Sequence, residues 1–379
     1  MSGALIKIAP IFIRRLPVKR RPFKARSGNG MTNNVMPGAI MKKLTLEMVA
    51  KIAGVGIATV DRVLNERGGV SPETTRKVLK AARDIGLKRL LPEEYRHPWQ
   101  IEVFLSNNGS SFFQQLVRYF SEAAGELGYR RITLHKTLVA ESQPAKLAQS
   151  IIARSSTRDG IIVFGHDYPP VYRALALCRS RGVPVITIVT DLPDADRLCH
   201  VGIDQYQAGR TAGLLMSKVV HQPGDIVMVS GRFDYWAHRQ RIAGFREVMM
   251  QRAPQRHLRE VLFGLDQRET IRTLLDQSLA QSQHVAGLYN TGMGNSEVSE
   301  TLRAHQLLGR CGYITHELYS VTRQLLRHNE LDFALDQNAQ QHARLAIELL
   351  LRHLESGYQP DIYRDGNVAL RLFTAENVA

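Results

Sequence analysis

LTLEMVAKIAGVGIATVDRVLN, residues 44–65 of this 379-residue chain, contains two short helical patterns separated by a glycine-containing turn. In the first pattern, apolar residues recur at the spacing of one helix face, at Leu46, Val49, Ala50 and Ala53. Thr45 stands before them in the place of an N-cap. Gly54-Val55-Gly56 interrupts the pattern, and a second apolar face follows at Val60, Val63 and Leu64. We therefore predict two helices joined by a tight turn.

A third helical pattern follows after a loop. Ser71-Pro72 is typical of an N-cap with proline at the first helical position. The apolar face of this helix comprises Val78, Ala81, Ala82 and Ile85, and Gly86 ends it. Two helices joined by a glycine-containing turn and braced by a third form the helix-turn-helix plan, in which the second helix enters the major groove of DNA. The pattern alone also permits a plain three-helix bundle with a solvated charged face.

The second helix leaves several side chains outside its apolar face, namely Ile57, Ala58, Thr59, Asp61 and Arg62. An arginine in this place suits a guanine edge or a phosphate. Thr59 and the main chain near Thr45 suit phosphate oxygens. These positions are the first candidates for contacts with DNA.

The residues of this module resemble the DNA-binding domain of the lactose-repressor (LacI/GalR) family, in the run 44–65 and again in Val70-Ser71-Pro72-Glu73-Thr74-Thr75-Arg76-Lys77-Val78. In that family the two residues that open the second helix read bases, and the resemblance assigns this role to Ile57 and Ala58. The arginine of the family pattern, here Arg62, also faces the groove. The DNA-binding residues that we expect are Thr45, Ile57, Ala58, Thr59, Arg62 and Asn65.

Two residues depart from the family pattern. Gly56 replaces the serine that usually opens the recognition helix, and Asp61 replaces a common serine before the arginine. An acid near phosphate lowers affinity unless it pairs with a neighbouring base, so we expect Asp61 to need such a partner. The family's hinge helix, which inserts leucine into the minor groove, has no residue-by-residue match here. Residues 88–98 are therefore assigned only as a linker.

Positive charge is concentrated at the N-terminal end of the chain. The formal net charge is +15, and the first forty residues contain no acidic residue. Such asymmetry indicates a polyanionic partner at one end. Prolines and a Gly/Asn-rich run break any apolar period there, so we predict a basic, disordered extension over residues 1–40, with Met31, Met36 and Met41 as possible alternative starts. A secretory signal or an organelle transit peptide is less favoured.

From Gln100 the pattern changes to an alternation of strands and helices. The predicted strands cover residues 101–106, 132–138, 161–164, 183–189, 226–230, 261–263, 285–289 and 312–315. The predicted helices cover residues 112–127, 145–153, 171–181, 206–220, 239–252, 271–282, 297–305, 321–326 and 339–356. Such alternation is typical of parallel sheets in an α/β fold, and two series of it indicate two lobes.

The predicted organisation is an N-terminal all-α helix-turn-helix domain followed by a two-lobed α/β domain with parallel sheets. We place the helix-turn-helix domain at residues 41–87 and the linker at 88–98. The two-lobed domain, at 99–379, would bind the effector and mediate dimerisation.

Ligands of open parallel sheets bind beyond the carboxyl ends of the strands. The residues at these places are mostly compact and hydrogen-bonding: Ser106, Asn107, Asp167, Thr190, Asp191, Gly231, Asn290, His316 and Glu317. Aromatic walls are available nearby from Phe112, Phe113, Tyr168, Phe233, Tyr235 and Trp236. Carboxylates and amides beside a ring face suit a neutral, hydroxyl-rich ligand. Each acid taken singly is also explained as a turn or cap residue.

Three further motifs resemble the periplasmic-binding-protein-type effector domain of the same family: Val201-Gly202-Ile203-Asp204 with Ala208-Gly209-Arg210, Arg241-Ile242-Ala243-Gly244-Phe245, and Asp336-Gln337. The resemblance implies two lobes that close on a small molecule, commonly a sugar, with Arg241 in contact with it. Asp191 and Asn290 follow strands where the family has ligand residues. Glu317 stands, in a looser match, in the place of another ligand aspartate of the family. The effector-binding residues that we expect are Asn107, Phe112, Asp191, Arg241, Asn290, Glu317 and Gln337.

Other classes of protein find little support in the sequence. No stretch approaches the roughly 18 apolar residues of a membrane span. Three dispersed cysteines, Cys178, Cys199 and Cys311, indicate neither a disulfide framework nor a zinc ribbon and favour a reducing compartment. Gly292-Met293-Gly294 hints at a dinucleotide loop but lacks the third glycine of that pattern. We expect no cofactor, no bound metal and no enzymatic activity.

We predict a bacterial-type, ligand-responsive transcription regulator that acts as a repressor. Its expected partners are double-stranded operator DNA, a sugar or polyol effector, and further copies of the chain in a homodimer or higher assembly, with no membrane association. We expect a cytoplasmic, nucleoid-associated protein. The alternatives are a sugar-binding receptor for transport, which would need export, and a Rossmann-like enzyme, which would bind a nicotinamide cofactor.

Overall fold

The computed structural model describes residues 45–65, 67, 69–85, 98–128 and 131–378. The basic extension predicted at residues 1–40 lies outside the described residues, as does almost all of the predicted linker. The described residues contain no helix that is both long enough and apolar enough to cross a membrane.

The N-terminal module consists of three helices: α1 (Leu46–Ala53), α2 (Ile57–Leu64) and α3 (Pro72–Asp84). They share a small core made by the apolar faces predicted from the sequence, including Val49, Val60, Val63, Val78 and Ala82. Gly54 ends α1 at a positive φ of 66°, a conformation that favours glycine, and its N–H bonds to the oxygen of Ala50. The helix-turn-helix prediction is confirmed.

The first lobe of the C-terminal domain is built on a parallel five-stranded sheet. Its strands are β1 (Trp99–Ser106), β2 (Ile132–Val139), β3 (Gly160–Val163), β4 (Val185–Ile188) and β5 (Cys199–Val201), in the order β2-β1-β3-β4-β5. Its helices include α4 (Ser111–Leu127), α5 (Pro144–Arg154) and α6 (Pro169–Ser180). The central strands are apolar on both faces because helices cover both sides of the sheet, and Ile161, Ile162 and Val163 are fully buried.

The second lobe contains a larger sheet. Its helices include α7 (Gln205–Val219), α8 (Trp236–Arg252), α9 (Arg268–Ala280), α10 (Asn295–Ala304) and α11 (Ser320–Arg327). Its strands are β6 (Asp225–Ser230), β7 (His257–Leu258), β8 (Leu262–Phe263), β9 (Val285–Asn290), β10 (Gly312–His316), β11 (Phe333–Asp336) and β12 (Arg371–Phe373). The sheet order is β12-β11-β10-β9-β6-β7, and β8 also pairs with β6. The prediction of parallel sheets holds except at the edge, where β12 is antiparallel to β11.

The chain passes between the lobes three times. The connections are residues 202–204, residues 337–338, and residues 357–370 after helix α12 (Ala339–Ser356). The first and third connections bond to each other, because the N–H of Val368 donates to the oxygen of Gly202 over 2.9 Å. Although α12 follows the second series of strands, it packs in the core of the first lobe, where Ile347 and Leu350 join Ile101. The lobes therefore do not correspond to two consecutive halves of the sequence.

Four of the strands were not predicted. β5, β7, β11 and β12 are two to four residues long, too short to show a period. The predicted strand 183–189 is also shorter in the structure, at Val185–Ile188. It ends because Val189 has a φ of 66°, which turns the chain out of the strand. This turn matters for function, since Thr190 and Asp191 follow it.

Candidate functional site

The outward face of α2 carries the side chains that were expected to contact DNA. Ile57 is 49% exposed although it is a large apolar residue, and Ala58 and Arg62 are also exposed. Thr59 is half-buried, and Val60 faces the core of the module. The helix therefore presents a face with an apolar start and a basic residue one turn later, which fits the size of a major groove.

Asp61 has the basic partner that its position was expected to need. Its carboxylate accepts hydrogen bonds from Nη1 of Arg67, at 3.0 Å, and from Nδ2 of Asn65, at 2.6 Å. The Asn65 amide is therefore engaged inside the module in this structure. Thr45 precedes α1 in an extended conformation, and its side chain makes no capping hydrogen bond.

A cavity of about 130 Å³ lies between the two lobes of the C-terminal domain. One wall is aromatic and comes mainly from the first lobe, with Phe112, Phe113 and Phe164 beside Tyr235 of the second lobe. The rings touch one another edge-on or tilted, at centroid distances of 4.7 Å for Phe113–Phe164 and 5.0 Å for Phe164–Tyr235. This wall offers a preformed apolar surface to a ligand.

Arg241 is the buried cation at this interlobe cavity. It is 3% exposed, and burial lowers the pKa of its guanidinium. Its Nε donates to Oε1 of Gln205 over 2.7 Å, and its Nη1 donates to the oxygen of Thr291 over 2.5 Å. Its Nη2 is buried without a hydrogen-bond partner among the described residues. Because unpartnered buried donors are costly, this nitrogen is suited to a ligand oxygen.

A chain of hydrogen bonds links Arg241 to the opposite part of the cavity. Gln205, which holds Arg241, donates through Nε2 to Oε1 of Gln337 over 3.0 Å. Gln337 in turn donates to the carboxyl group of Glu317. Burial, together with the neighbouring Asp336, raises the pKa of Glu317. The carboxyl group of Glu317 thus favours its neutral form, in which it donates as well as accepts.

The histidines around the cavity are neutral. Burial lowers the pKa of His238 to about 3 and moves the pKa of His316 well below its usual value. The Nε2 atom of His316 contacts the Tyr289 hydroxyl over 2.8 Å, and its Nδ1 has no partner among the described residues. The lining is therefore rich in neutral donors and acceptors, which suits hydroxyl groups.

Direct contacts hold the lobes together at the side of the cavity where α8 begins. The Tyr235 hydroxyl contacts Nε2 of His166 over 2.9 Å, and Nη2 of Arg239 lies 2.6 Å from the Asp167 carboxylate. Each pair joins a residue of the second lobe to one of the first. The structure is therefore a closed arrangement of the two lobes around the cavity.

Comparison with known families agrees with both parts of this architecture. A model described as "Periplasmic binding protein domain" matches residues 101–359, and one described as "Bacterial regulatory proteins, lacI family" matches residues 45–89. The chain carries a lacI-family DNA-binding domain, followed over more than half of its length by a periplasmic binding protein domain. The two matches follow each other along the chain in the order of the helix-turn-helix and the two-lobed domain.

Two curated lacI-family regulators illustrate the distance of the relationship. The regulator DegA of Bacillus subtilis is 26% identical over 212 residues, which cover 55% of this chain and 61% of DegA. The sucrose operon repressor of Streptococcus mutans is 27% identical over 235 residues, which cover 60% of this chain and 68% of that protein. The chain thus spans about three fifths of the length of DegA in this match.

Solved structures share the fold of the two-lobed domain. GanP, a glucose-galactose binding protein of Geobacillus stearothermophilus, superposes with a TM-score of 0.67 at 16% identity, covering 74% of this chain and 99% of its own. A putative LacI transcriptional regulator of Bacteroides fragilis has a TM-score of 0.66 at 17% identity, covering 74% and 98%. At such identities the likeness shows the fold alone.

Four of the seven side chains predicted for the effector site line the interlobe cavity. They are Phe112, Arg241, Glu317 and Gln337. They come from α4, α8 and the ends of β10 and β11, so four separate elements bring them together. Their contact with an effector stays a prediction.

The other three predicted residues lie elsewhere. Asn107 is exposed, and its neighbour Asn108 lines the cavity instead. Asp191 is turned away from the cavity. Its carboxylate accepts hydrogen bonds from Nη2 of Arg197, over 2.7 Å, and from the Thr187 hydroxyl. Asn290 is fully buried, and its amide bonds to the oxygens of Met293 and Asn295. In this structure Asn290 holds the loop at residues 291–295 in place and does not line the cavity.

The sequence interpretation missed several lining residues, among them Asn108, Ser110, His238, Asp266, Asn295 and Tyr319. One available signal was the motif Gly292-Met293-Gly294, which was considered only as a dinucleotide loop. All three of its residues line the cavity. Gly294 has a φ of 91°, and a Cβ there would lie 2.5 Å from Cδ1 of Ile271. The positive φ favours glycine here, since other residues rarely adopt this conformation.

Proposed function

We propose that this protein is a sequence-specific DNA-binding repressor of transcription whose affinity for its operator is controlled by a small molecule. The observation that carries the proposal is the exposed face of α2 in a helix-turn-helix of lacI type, with Ile57, Ala58 and Arg62 pointing away from the core. A helix with this exposure has the form of a recognition helix. The curated relatives named above are regulators and not enzymes.

The effector that the interlobe cavity supports best is a neutral, hydroxyl-rich molecule such as a sugar or polyol. The aromatic wall at Phe112 and Phe164 covers an apolar face, while Nη2 of Arg241 and the neutral carboxyl group of Glu317 pair hydroxyl oxygens and protons. The printed name of the relative from Streptococcus mutans, a sucrose operon repressor, supports the same class.

Control arises from different affinities of the effector for the two arrangements of the lobes. The chain acts as a homodimer or a higher assembly, so that two copies of α2 bind two half-sites of a near-palindromic operator. Its DNA-bound form is associated with the nucleoid. A sugar-binding receptor for transport shares the fold of the C-terminal domain but leaves the exposed α2 without a role.

The proposal is tested by measuring binding of the full chain to the DNA upstream of its own gene and to random DNA at one fixed salt concentration. We expect selective binding, which sugars and polyols then modulate. Nonspecific binding depends mainly on phosphate contacts and weakens equally on all sequences as salt rises. Binding of that kind alone, together with saturable sugar binding, would overturn the repressor and favour the receptor.

A further inference from the structure

A second cavity lies beside the connections between the lobes. It has a volume of about 560 Å³, and we call it the connection cavity. Its lining includes His200 and Gly202 near the end of the first-lobe sheet, Gln205 and Trp236 at the starts of α7 and α8, and Tyr363 and Asn367 in the third connection. It is distinct from the interlobe cavity described above.

A thin wall of shared backbone separates the two cavities. Thr190 lines the interlobe cavity while the next residue, Asp191, lines the connection cavity. In the same way Tyr235 lines the first and Trp236 the second. The side chain of Gln205, which lines the connection cavity, holds both Arg241 and Gln337 in place by hydrogen bonds. A molecule in the connection cavity that reaches Gln205 therefore contacts a support of the interlobe cavity.

His200 provides an unused hydrogen-bond acceptor in the connection cavity. It is 7% exposed, and burial lowers its pKa to about 4, so the ring is neutral. The Thr187 hydroxyl donates its proton to Asp191, so Nδ1 of His200, 3.0 Å from that hydroxyl, must carry a proton and donate to it. The Nε2 atom is then a bare acceptor, because the ring's hydrogen bond to Thr187 uses only Nδ1.

Space beside Nε2 of His200 is left open because residue 202 is glycine. A Cβ on Gly202 would lie 2.5 Å from Nε2 of His200, so any side chain there would press on the imidazole ring. Three carboxylates also line the connection cavity, and each already has partners: Asp191 binds Arg197, Asp204 caps α7, and Asp361 accepts two backbone N–H groups. Arg364 also lines the cavity, but its guanidinium is paired with Asp365 over 3.3 Å. The excess of carboxylates over this one cation disfavours an anion and favours a ligand that donates hydrogen bonds.

We propose that the connection cavity is a second small-molecule site, which takes a neutral polyhydroxylated compound. One ligand hydroxyl donates to Nε2 of His200, and the ligand's carbon skeleton lies against the indole ring of Trp236. Amides of Gln240 and Asn367, both lining residues, pair further hydroxyls. Occupancy changes the affinity of the interlobe cavity through Gln205. An effect of this occupancy on DNA binding rests on the proposed function. The binding of the compound itself does not.

The chain contains a reporter for this site. It has only two tryptophans, Trp99 and Trp236, so the full-length variant Trp99→Phe retains Trp236 as the single indole. We would titrate this variant with D-glucose, D-galactose, myo-inositol and sucrose and record Trp236 fluorescence. The same titration would be made with Arg241→Ala added, which disables the interlobe cavity, and with His200→Phe added, which keeps a ring but removes the acceptor.

The expected result is a saturable change for at least one compound that survives Arg241→Ala. His200→Phe should raise its dissociation constant about tenfold, the usual effect of losing one hydrogen bond to a ligand. Should His200→Phe fail to fold, Asn367→Ala at the exposed rim should weaken binding, while the distant control Gln281→Ala should not.

A change that disappears with Arg241→Ala and persists in His200→Phe would overturn the proposal, because the signal would then come from the interlobe cavity. The absence of any saturable change with all four compounds would overturn it as well. No DNA is present in these titrations. A chain that binds a compound at His200 but fails to select DNA would therefore refute the repressor and leave the second site standing.

Discussion

Gly209 of α7 lies in direct contact with the backbone of Arg241 in α8: a Cβ built on Gly209 would be 2.1 Å from the Arg241 oxygen. The reverse contact is as close, since a Cβ on Gly244 would be 2.2 Å from the oxygen of Tyr206. The two helices therefore touch backbone to backbone at these glycines. This approach sets Arg241 at the distance from Gln205 that their 2.7 Å hydrogen bond requires.

Replacing Gly209 by alanine should destabilise the protein, because the added methyl group collides with backbone that cannot move aside cheaply. We expect a loss of about 1–3 kcal/mol in the free energy of unfolding, or more, as for other overpacked interiors. Urea unfolding measures it. Gly125→Ala is the matched control, because Gly125 lies within α4 with nothing inside 4 Å of a built Cβ, and it should be neutral or slightly stabilising. Equal stability of the two variants would contradict the helix contact.

Arg241→Ala should abolish the response to effector and leave operator binding intact. The substitution removes the only guanidinium nitrogen of Arg241 that is left for a ligand, Nη2, while α2 is unaffected. Effector affinity and operator affinity would be measured separately by titration. Arg252→Ala, at the exposed end of the same helix, is the control and should behave like the natural chain. A normal effector response in Arg241→Ala would remove this residue from the site.

Ile57 should recognise thymine methyl groups, because an exposed apolar side chain at the start of a recognition helix has no hydrogen bond to offer a base edge. Deoxyuridine in place of each operator thymine in turn removes one methyl group at a time. We expect at least one position per half-site at which this replacement weakens binding by about 1 kcal/mol, within the range of a single base discrimination. The same replacement should have no effect on Ile57→Ser. An operator indifferent to every methyl group would contradict this role.

Arg62→Ala should cost about 1–3 kcal/mol of operator affinity if the guanidinium reads a base, and specificity should relax at one position. If Arg62 binds phosphate instead, affinity falls on all sequences and the salt dependence becomes shallower. Binding to operator and to random DNA over a range of salt separates the two results. Lys80→Ala, at an exposed position of α3, serves as the control. Unchanged affinity for both DNAs would exclude Arg62 from the interface.

Stability should fall as pH rises through the pKa of Glu317. Burial and the nearby Asp336 raise that pKa to about 8, above its unfolded value, so the native state binds the proton more tightly than the unfolded state. Stability contributed in this way is fully present below the unfolded pKa of about 4.5, falls as pH rises above it, and is lost once pH has passed the folded pKa of about 8. Glu317→Gln, which is neutral throughout, should reduce the difference in unfolding free energy between pH 6 and pH 9. The exposed control Glu348→Gln should leave that difference unchanged.

The helix-turn-helix was predictable because its information is local. The apolar spacing from Leu46 to Ala53, the glycine turn and the face at Val60 and Val63 lie within one short stretch, and each predicts the same structure. The longer elements of the two-lobed domain were predictable for the same reason: α12 was predicted with the ends that the structure shows. Strands such as β5 and β11 were not predicted because they lack the runs of β-branched residues that mark the equally short β3 and β4.

The interlobe cavity was predicted only in part. Phe112, Arg241, Glu317 and Gln337 meet there, but the rule that ligand residues follow strand ends cannot say which way a side chain points after a turn. The positive φ of Val189 directs the chain so that Thr190 faces the interlobe cavity and Asp191 the connection cavity. Thr190 therefore lines the interlobe cavity, whereas Asp191, the next residue, lies behind the wall of that cavity.

The sequence by itself determined the order of the domains, the family and the face of α2 that is left exposed, because these depend on residues close together in the chain. Only the tertiary structure decided that α12 returns to the first lobe, that Gly209 and Gly244 bring α7 and α8 into backbone contact, and that Gln205 lies between two cavities. These features join distant segments: Gln205 and Gln337 are 132 residues apart, and Arg131 and Glu355, which the return of α12 brings together, are 224 residues apart. No local pattern encodes such distances; they arise from the packing of the folded lobes.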